Sequence, residues 1–448
     1  MQLSLKQRAL AATATVAAMT LALTGCSGFG GSSSGSGGSG SGSKVTISFL
    51  TQNDASTRTQ SKALIAAFEK KYPDVTVKLE TQPAGTQGDN LMKTKLSTKT
   101  MANVFHYNSG SLFQALNPKT SMVDLSGESW VKNLDPNFKS VVTADGKVYG
   151  APLGTSSAGG ILYNKKIYSK LGLKIPKTWD QFIANSKKIK SDDPGVTPIL
   201  QSYGDTWTSQ LLVLADFANI NKQDPDWATN YTNNKGGAKY VNQPAFEGFQ
   251  HTAEVTKEGL VNKDYASMTN VQAMTALAKG KAAQYPMLTS SMATVQQNNP
   301  KDVDNIGVFP VPSPNPKYTT LTLWEPNALY VSKTTTGDKL QASKDFVAFA
   351  NSGEGCTVQN DTGALAGPYV ISTCKLPSDA PAFTEDVEKY IDNDQASPAL
   401  EFKSPIKGPN LETILIGVGS GTTSAKKGAE QYDQDVKAQA QQLGIEGW

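Results

Sequence analysis

Apolar and polar residues alternate over Val45, Ile47 and Phe49, and again over Val75, Val77 and Leu79. A period of two marks a strand. Between these runs Leu64, Ala67 and Phe68 share one helical face, and Pro73 ends the helix. Strand, helix and strand in this order predict a parallel pair with a right-handed crossover. Ligands of open parallel sheets bind beyond the carboxyl ends of the strands. The polar loops 51–57 and 81–87 therefore mark a binding edge, as does His106-Tyr107-Asn108-Ser109 after the apolar Val104-Phe105. Thr178 and Gln181 predict a capping box for a helix whose apolar face is Trp179, Phe182 and Ile183. Helical spacing recurs over 271–279 and 340–350. It is clearest in Ala425, Ala429, Tyr432, Val436, Ala440 and Leu443. The Pro-rich stretch 309–314 excludes helix and reads as a linker or as a strand crossing between lobes. No repeat appears at the periods typical of solenoids and propellers.

The chain begins with Lys6 and Arg8 ahead of a small-residue apolar run from Ala9 to Leu23, the layout of a secretory signal peptide. Leu23-Thr24-Gly25-Cys26 resembles the bacterial lipobox, in which a diacylglycerol is attached to the cysteine and the preceding peptide is removed. Residues 1–25 are thus expected to be a lipoprotein signal peptide. The segment 26–43 is almost wholly Gly and Ser after Cys26. Such a chain cannot offset the entropy lost on folding, and 27–43 should span roughly 20–25 Å root-mean-square as a tether. The apolar run is shorter and less apolar than the roughly 20 residues a spanning helix needs.

Without residues 1–25 the net charge falls from +3 to +1, because that segment carries two cations and no acid. A nearly neutral body lacks the basic concentration that nucleic-acid binding requires. With 38% hydrophobic and 18% charged residues the chain is an ordinary globular one, long enough for two or three lobes. With Cys26 acylated, Cys356 and Cys374 remain, and outside the cytoplasm two such thiols predict a disulfide; the alternative is two buried free thiols. His106 and His251 are the only histidines, and neither has a Cys or His at metal-ligand spacing. The sequence holds no nucleophile elbow, zinc-protease motif or Walker loop. No metal, cofactor or catalytic residue is assigned.

Four stretches resemble the family 1 extracellular solute-binding proteins of bacterial ABC importers. They are residues 66–75 (AAFEKKYPDV), residues 145–152 (DGKVYGAP) continuing to Leu162-Tyr163-Asn164-Lys165, residues 176–180 (PKTWD), and Gly280-Lys281-Ala282-Ala283 with Ile306-Gly307-Val308-Phe309-Pro310. The resemblance implies an α/β, periplasmic-binding-protein-like fold. Two α/β lobes with central, mostly parallel sheets would be joined by a multi-segment hinge. The first lobe is expected from 44–152 plus 312–352, and the second from 153–311 plus 353–448. It further implies a carbohydrate ligand, in this reading an oligosaccharide, held between lobes that close on it. The partners would be ABC permease subunits with a separate ATPase. The protein would be a monomer, lipid-anchored to the cell membrane of a Gram-positive bacterium.

After Ala283 the family often places a tryptophan, which this chain lacks, so another ring must face a sugar. Sugars present apolar C–H faces to aromatics and hydroxyl rims to polar groups. The candidates are Asn53, Asp54, His106, Tyr107 and Asn108 in the first lobe, and Tyr203, Asp205, Trp207 and Tyr285 in the second. Trp324, Glu325 and Asn327 are candidates near the crossing, with Lys407 and Asn410 as secondary ones. Trp324, in an apparent loop, is the expected stacking residue, with a core position as its alternative. The competing functions are a membrane-anchored extracellular enzyme acting on polysaccharide and a glycan adhesin.

Overall fold

The computed structural model describes residues 44–362 and 365–448. The signal peptide, Cys26 and the tether lie outside the described residues. The strands are, in chain order, β1 (Val45–Gln52), β2 (Val75–Gln82), β3 (Val104–Tyr107), β4 (Thr143–Ala144), β5 (Lys147–Val148), β6 (Gly150–Pro152), β7 (Ser157–Asn164), β8 (Thr197–Ile199), β9 (Ala282–Leu288), β10 (Ile306–Phe309), β11 (Leu321–Trp324), β12 (Ala328–Val331) and β13 (Ala396–Pro398).

The first sheet runs β2-β1-β3-β12-β6. The predicted βαβ unit is present: β1 pairs in parallel with β2 from Val45↔Val75 to Gln52↔Gln82, and α1 (Ala55–Lys71) connects them. Its Leu64 and Phe68 are fully buried, and Phe68 packs edge-on against Phe346. β3 also lies parallel to β1, whereas β12 is antiparallel to β3 and to β6. The second sheet runs β13-β11-β7-β9-β8, with β10 also on β7. There β7 is antiparallel to β9, β10 and β11, and only β8–β9 and β11–β13 are parallel. Parallel pairing therefore holds for the opening strands, and the rest of both sheets is mixed. In the first sheet the antiparallel member is β12, which enters from the crossing at 325–327 and runs against β3 and β6.

One apolar core covers both faces of the first sheet and takes residues from 47–153 and 328–374. The second sheet is packed by Ala158, Leu162, Tyr285 and Phe383 on one side and by Ile161, Phe182, Phe309 and Trp324 on the other. The expected lobe boundaries shift accordingly. Residues 312–324 stay with the second sheet, because β11 pairs with β7. Cys356, Val370, Ile371 and Cys374, expected in the second lobe, pack into the first core. The Pro-rich stretch is not the crossing: Val311 is buried in the second lobe, and Ser313 O accepts from Trp179 N at 3.1 Å.

The chain crosses between lobes at 153–156, at 325–327 and after Cys374. The first two run side by side, with Leu153 N donating to Asn327 O at 3.0 Å. Cys356 and Cys374 form the expected disulfide. The stretch ahead of Cys374 is tied to both lobes. Ala366 O accepts from Thr289 Oγ1 (2.7 Å) and Pro368 O from Ser156 N (2.8 Å). On the other side Val370 O accepts from Asp135 N (2.8 Å), and Ser372 N donates to Asn133 O (2.9 Å).

The helices Gly337–Ala350 and Ala425–Gln442 match their periodicity. Thr178 caps the helix Trp179–Asp192 through Gln181 N, but the Gln181 carboxamide accepts from Lys177 N, one residue earlier than a reciprocal box requires. A complete box forms instead at Thr269 and Gln272.

Candidate functional site: the cleft between the lobes

The parallel strands of the first lobe end at the cleft. Beyond β1, Asn53 is exposed, and its N–H donates to Gln82 O at 2.8 Å. Asp54 caps α1, accepting from Thr57 N at 2.9 Å and from Ser56 Oγ at 3.1 Å. His106, in β3, is buried with Nδ1 3.3 Å from Thr51 Oγ1, and Nε2 has no partner among the described residues. Burial lowers its pKa to about 4, so the imidazole is neutral at pH 7. Tyr107 Oη donates to Asp89 Oδ1 at 2.8 Å. Burial pushes the Asp89 carboxyl above the usual carboxylate range, an effect opposed by Tyr107 and Lys407. Asn108 is half-buried, and its carbonyl accepts from Tyr330 Oη at 3.0 Å.

At the hinge, Trp324 ends β11 opposite Ser157, a strand rather than the expected loop. Its six-membered ring lies on bare backbone: a Cβ on Gly159 would stand 2.2 Å from Cζ3. Only glycine at 159 permits this approach. The indole is 9% exposed and forms part of the wall of a cavity that Glu401, Lys407, Tyr240 and Tyr432 also line. It is thus both a core residue and a cavity wall. Glu325 Oε2 has no partner among the described residues, and burial, followed by the charge of Asp135, raises its carboxyl to about 7. Pro326 O accepts from Ser109 Oγ at 3.0 Å, so the floor of the cleft binds the first lobe to the crossing.

A second cavity lies between the lobes. Thr86, Asp89, Lys93 and Ser111 face it from the first lobe, and Gln210, Lys407 and Glu412 from the second. Lys407 Nζ is 3.9 Å from Glu401 Oε2, and both side chains are mostly buried. The lobes touch directly: a Cβ on Gly110, at φ +70°, would lie 2.5 Å from Glu401 O and 2.8 Å from the Phe402 ring. The cleft is closed in this structure.

The second-lobe candidates do not join this set. Tyr285 is fully buried in β9, with its hydroxyl 2.5 Å from Ser202 Oγ and 3.2 Å from Asn270 Nδ2, and it has no face left for a ligand. Asp205 accepts from Asn270 N at 2.7 Å and so caps a helix. Tyr203 is buried beside Tyr265, its hydroxyl pressed against Gly419. Trp207 is half-buried against the second-lobe core. Asn410 binds Asp435 on the outer surface.

Sequence reasoning missed Asp89, Glu401, Gln210 and Glu412. The one available signal was the run 398–409, where Pro398, Pro405 and Pro409 bracket Glu401 and Lys407 in chain that cannot be regular. Between them the two cavities bring together the Trp324 indole, the carboxylates of Asp89, Glu401 and Glu412, the ammonium groups of Lys93 and Lys407, and the Gln210 amide. Such a lining meets apolar C–H faces and hydroxyl rims together. Among the described residues no three His, Cys, Asp or Glu side chains are placed to hold a metal ion.

The family model of the bacterial extracellular solute-binding proteins matches residues 54–355. The multiple sugar-binding protein of Streptococcus mutans is 26% identical over 282 residues, which are 60% of this chain and 62% of that protein. The melibiose/raffinose/stachyose-binding protein MelE of Bacillus subtilis is 25% identical over 328 residues, 68% of this chain and 70% of that one. A solved chitin oligosaccharide binding protein superposes with a TM-score of 0.75 at 18% identity, covering 89% of this chain and 100% of its own. A match over some two thirds of the chain, together with the shared two-lobe fold, makes this chain a member of the bacterial extracellular solute-binding protein family.

Proposed function

We propose that the protein is an extracytoplasmic receptor that captures a neutral sugar between its lobes and delivers it to the permease of an ABC importer. The observation that carries this reading is the cleft itself. Thr86, Asp89, Lys93 and Ser111 of the first lobe and Gln210, Lys407 and Glu412 of the second surround a space that neither lobe encloses alone, and Lys407 also lines the neighbouring second-lobe cavity that Trp324 walls. A solute touching both lobes favours the closed arrangement over the open one, and its differential affinity for the two sets the population. The names of the relatives support an oligosaccharide of the raffinose kind as the class of ligand.

In this reading Cys26 carries the lipid anchor, the Gly/Ser segment is a tether, and the receptor works as a monomer on the outer face of the cell membrane of a Gram-positive bacterium. Thermal unfolding against a panel of raffinose, stachyose, melibiose and chitooligosaccharides tests the function. A bound sugar at 100 times its Kd adds about 2.7 kcal/mol. The sugar should also be recovered chemically intact after incubation. A panel without any stabilising sugar, or a sugar that is cleaved, contradicts the reading.

A further inference from the structure

The amino end of α2 (Gly85–Ser97) is bare. Its N-cap is Ala84, which supplies no side-chain hydrogen bond, and the first turn carries no acid. An α-helix begins with unsatisfied N–H groups and a partial positive charge, which favour an anion there. The first lobe does not provide one. The second lobe does. Glu412, on the helix Leu411–Gly419, is 8% exposed, and a Cβ on Gly85 would stand 3.4 Å from both of its carboxylate oxygens. Thr206 Oγ1 donates to Glu412 Oε2 at 2.6 Å and holds the carboxylate in this direction. Gly85 itself sits at φ +68°, a conformation that favours glycine and leaves room for the approach.

We propose that Glu412 is a latch across the cleft. Its carboxylate docks on the uncapped end of α2 and stabilises the closed arrangement, so that, from the wall of the cavity it lines, it governs how tightly a sugar is retained. The latch rests on the reading of the protein as a receptor that closes. Its geometry explains why a buried carboxylate is tolerated at the lobe boundary: Thr206 satisfies one oxygen, and the helix end offsets the charge. When the lobes part, α2 loses the anion at that end and Glu412 returns to water. The contact is therefore specific to closure.

Hydrogen exchange read by mass spectrometry on the full chain, without ligand, tests this directly. The wild type is compared with Glu412→Gln, which removes the charge and keeps an acceptor for Thr206, and with Glu412→Ala. Peptides over 84–92 belong to the other lobe and should exchange about three- to tenfold faster in both variants, the range expected for a charge at a helix end. Strand residues 104–107 should be unchanged, which shows that the first lobe is intact. If Glu412→Ala does not fold, Glu412→Gln still decides the matter. Equal exchange over 84–92 in all three proteins overturns the latch. Raffinose binding is measured separately, and its Kd should rise by the same factor in Glu412→Gln. Equal affinity would refute the role in retention. A wild type that binds no sugar would refute the receptor reading, while the ligand-free exchange still decides the latch.

Discussion

Trp324 and Gly159 should behave as one unit, and removing the ring should be felt first in stability. The indole is 9% exposed and lies on the backbone of β7, where a Cβ at 159 would be 2.2 Å from Cζ3 and 3.0 Å from Cη2. Trp324→Ala deletes contacts with the core and leaves a void, for which about 3–5 kcal/mol is the expected cost. At about 2–4 °C per kcal/mol for a lobe of this size, the melting temperature should fall by roughly 6–20 °C. Gly159→Ala alone inserts a methyl into occupied space and should cost about 1–3 kcal/mol. In the double variant the new methyl enters the void left by the ring, so the two losses should not add. A coupling of about 0.5–3 kcal/mol in the favourable direction is expected from denaturant unfolding of all four proteins. Titration calorimetry with raffinose on the same set should show weakened binding in both variants that lack the indole, because the cavity wall is gone. Additive losses within about 0.5 kcal/mol would refute the packing argument. Undiminished affinity in Trp324→Ala would refute the role of the ring in the site.

Glu325 should make stability fall with pH. Its folded pKa is raised from 4.5 to about 7 by burial, so the folded protein holds a proton that the unfolded chain releases. The neutral form is accommodated below pH 4.5. Stability then declines as the pH rises from 4.5 to 7, by about 3 kcal/mol in all, and levels off above that. Glu325→Gln should lack this decline, and parallel pH profiles of the two proteins would exclude it. Breaking the disulfide by Cys356→Ser should cost about 3 kcal/mol in the chain-entropy model for an 18-residue separation. Free-thiol titration of the denatured, unreduced wild type should find neither cysteine reactive, and two reactive thiols there would be contrary evidence. Cys26→Ala should abolish lipid attachment, to be read by mass spectrometry of membrane fractions, and an unmodified Cys26 in membrane-bound protein would disprove the anchor.

What was legible in the sequence was local. The βαβ opening could be read because Val45, Ile47 and Phe49 alternate and α1 fits between two such runs. The final helix could be read because six residues recur at three and four. Trp324 was misplaced in a loop because Pro326 follows closely and because the partner of β11 lies about 160 residues upstream, in β7. Tyr285 was a candidate because it follows Ala283, after which the family often places an aromatic. Yet β9 is a central strand with both faces covered, and its polar groups are satisfied by Tyr168, Ser186 and Ser202. The first-lobe edge of the cleft followed from the rule for parallel sheets, and Lys407 was a secondary candidate, but Asp89, Glu401 and Glu412 come from segments that no short-range pattern connects.

Three crossings among the described residues, rather than one, also set what kind of motion is open to the molecule. A single connecting strand leaves two bodies free to twist and slide as well as bend. Here Leu153 is bonded to Asn327, and the third crossing emerges from a segment that a disulfide pins and both lobes hold. Twist about any one segment would stretch the others, so bending about a shared axis is the soft coordinate left. Closing then costs the entropy of about one degree of freedom instead of several, which preorganises binding in the manner of a rigidified loop. The same constraint returns Glu412 to Gly85 on every closure. A sugar that fits poorly would have to strain the arc, because the lobes cannot rotate to accommodate it. Selectivity would therefore reside partly in the hinge, far from any atom of the ligand.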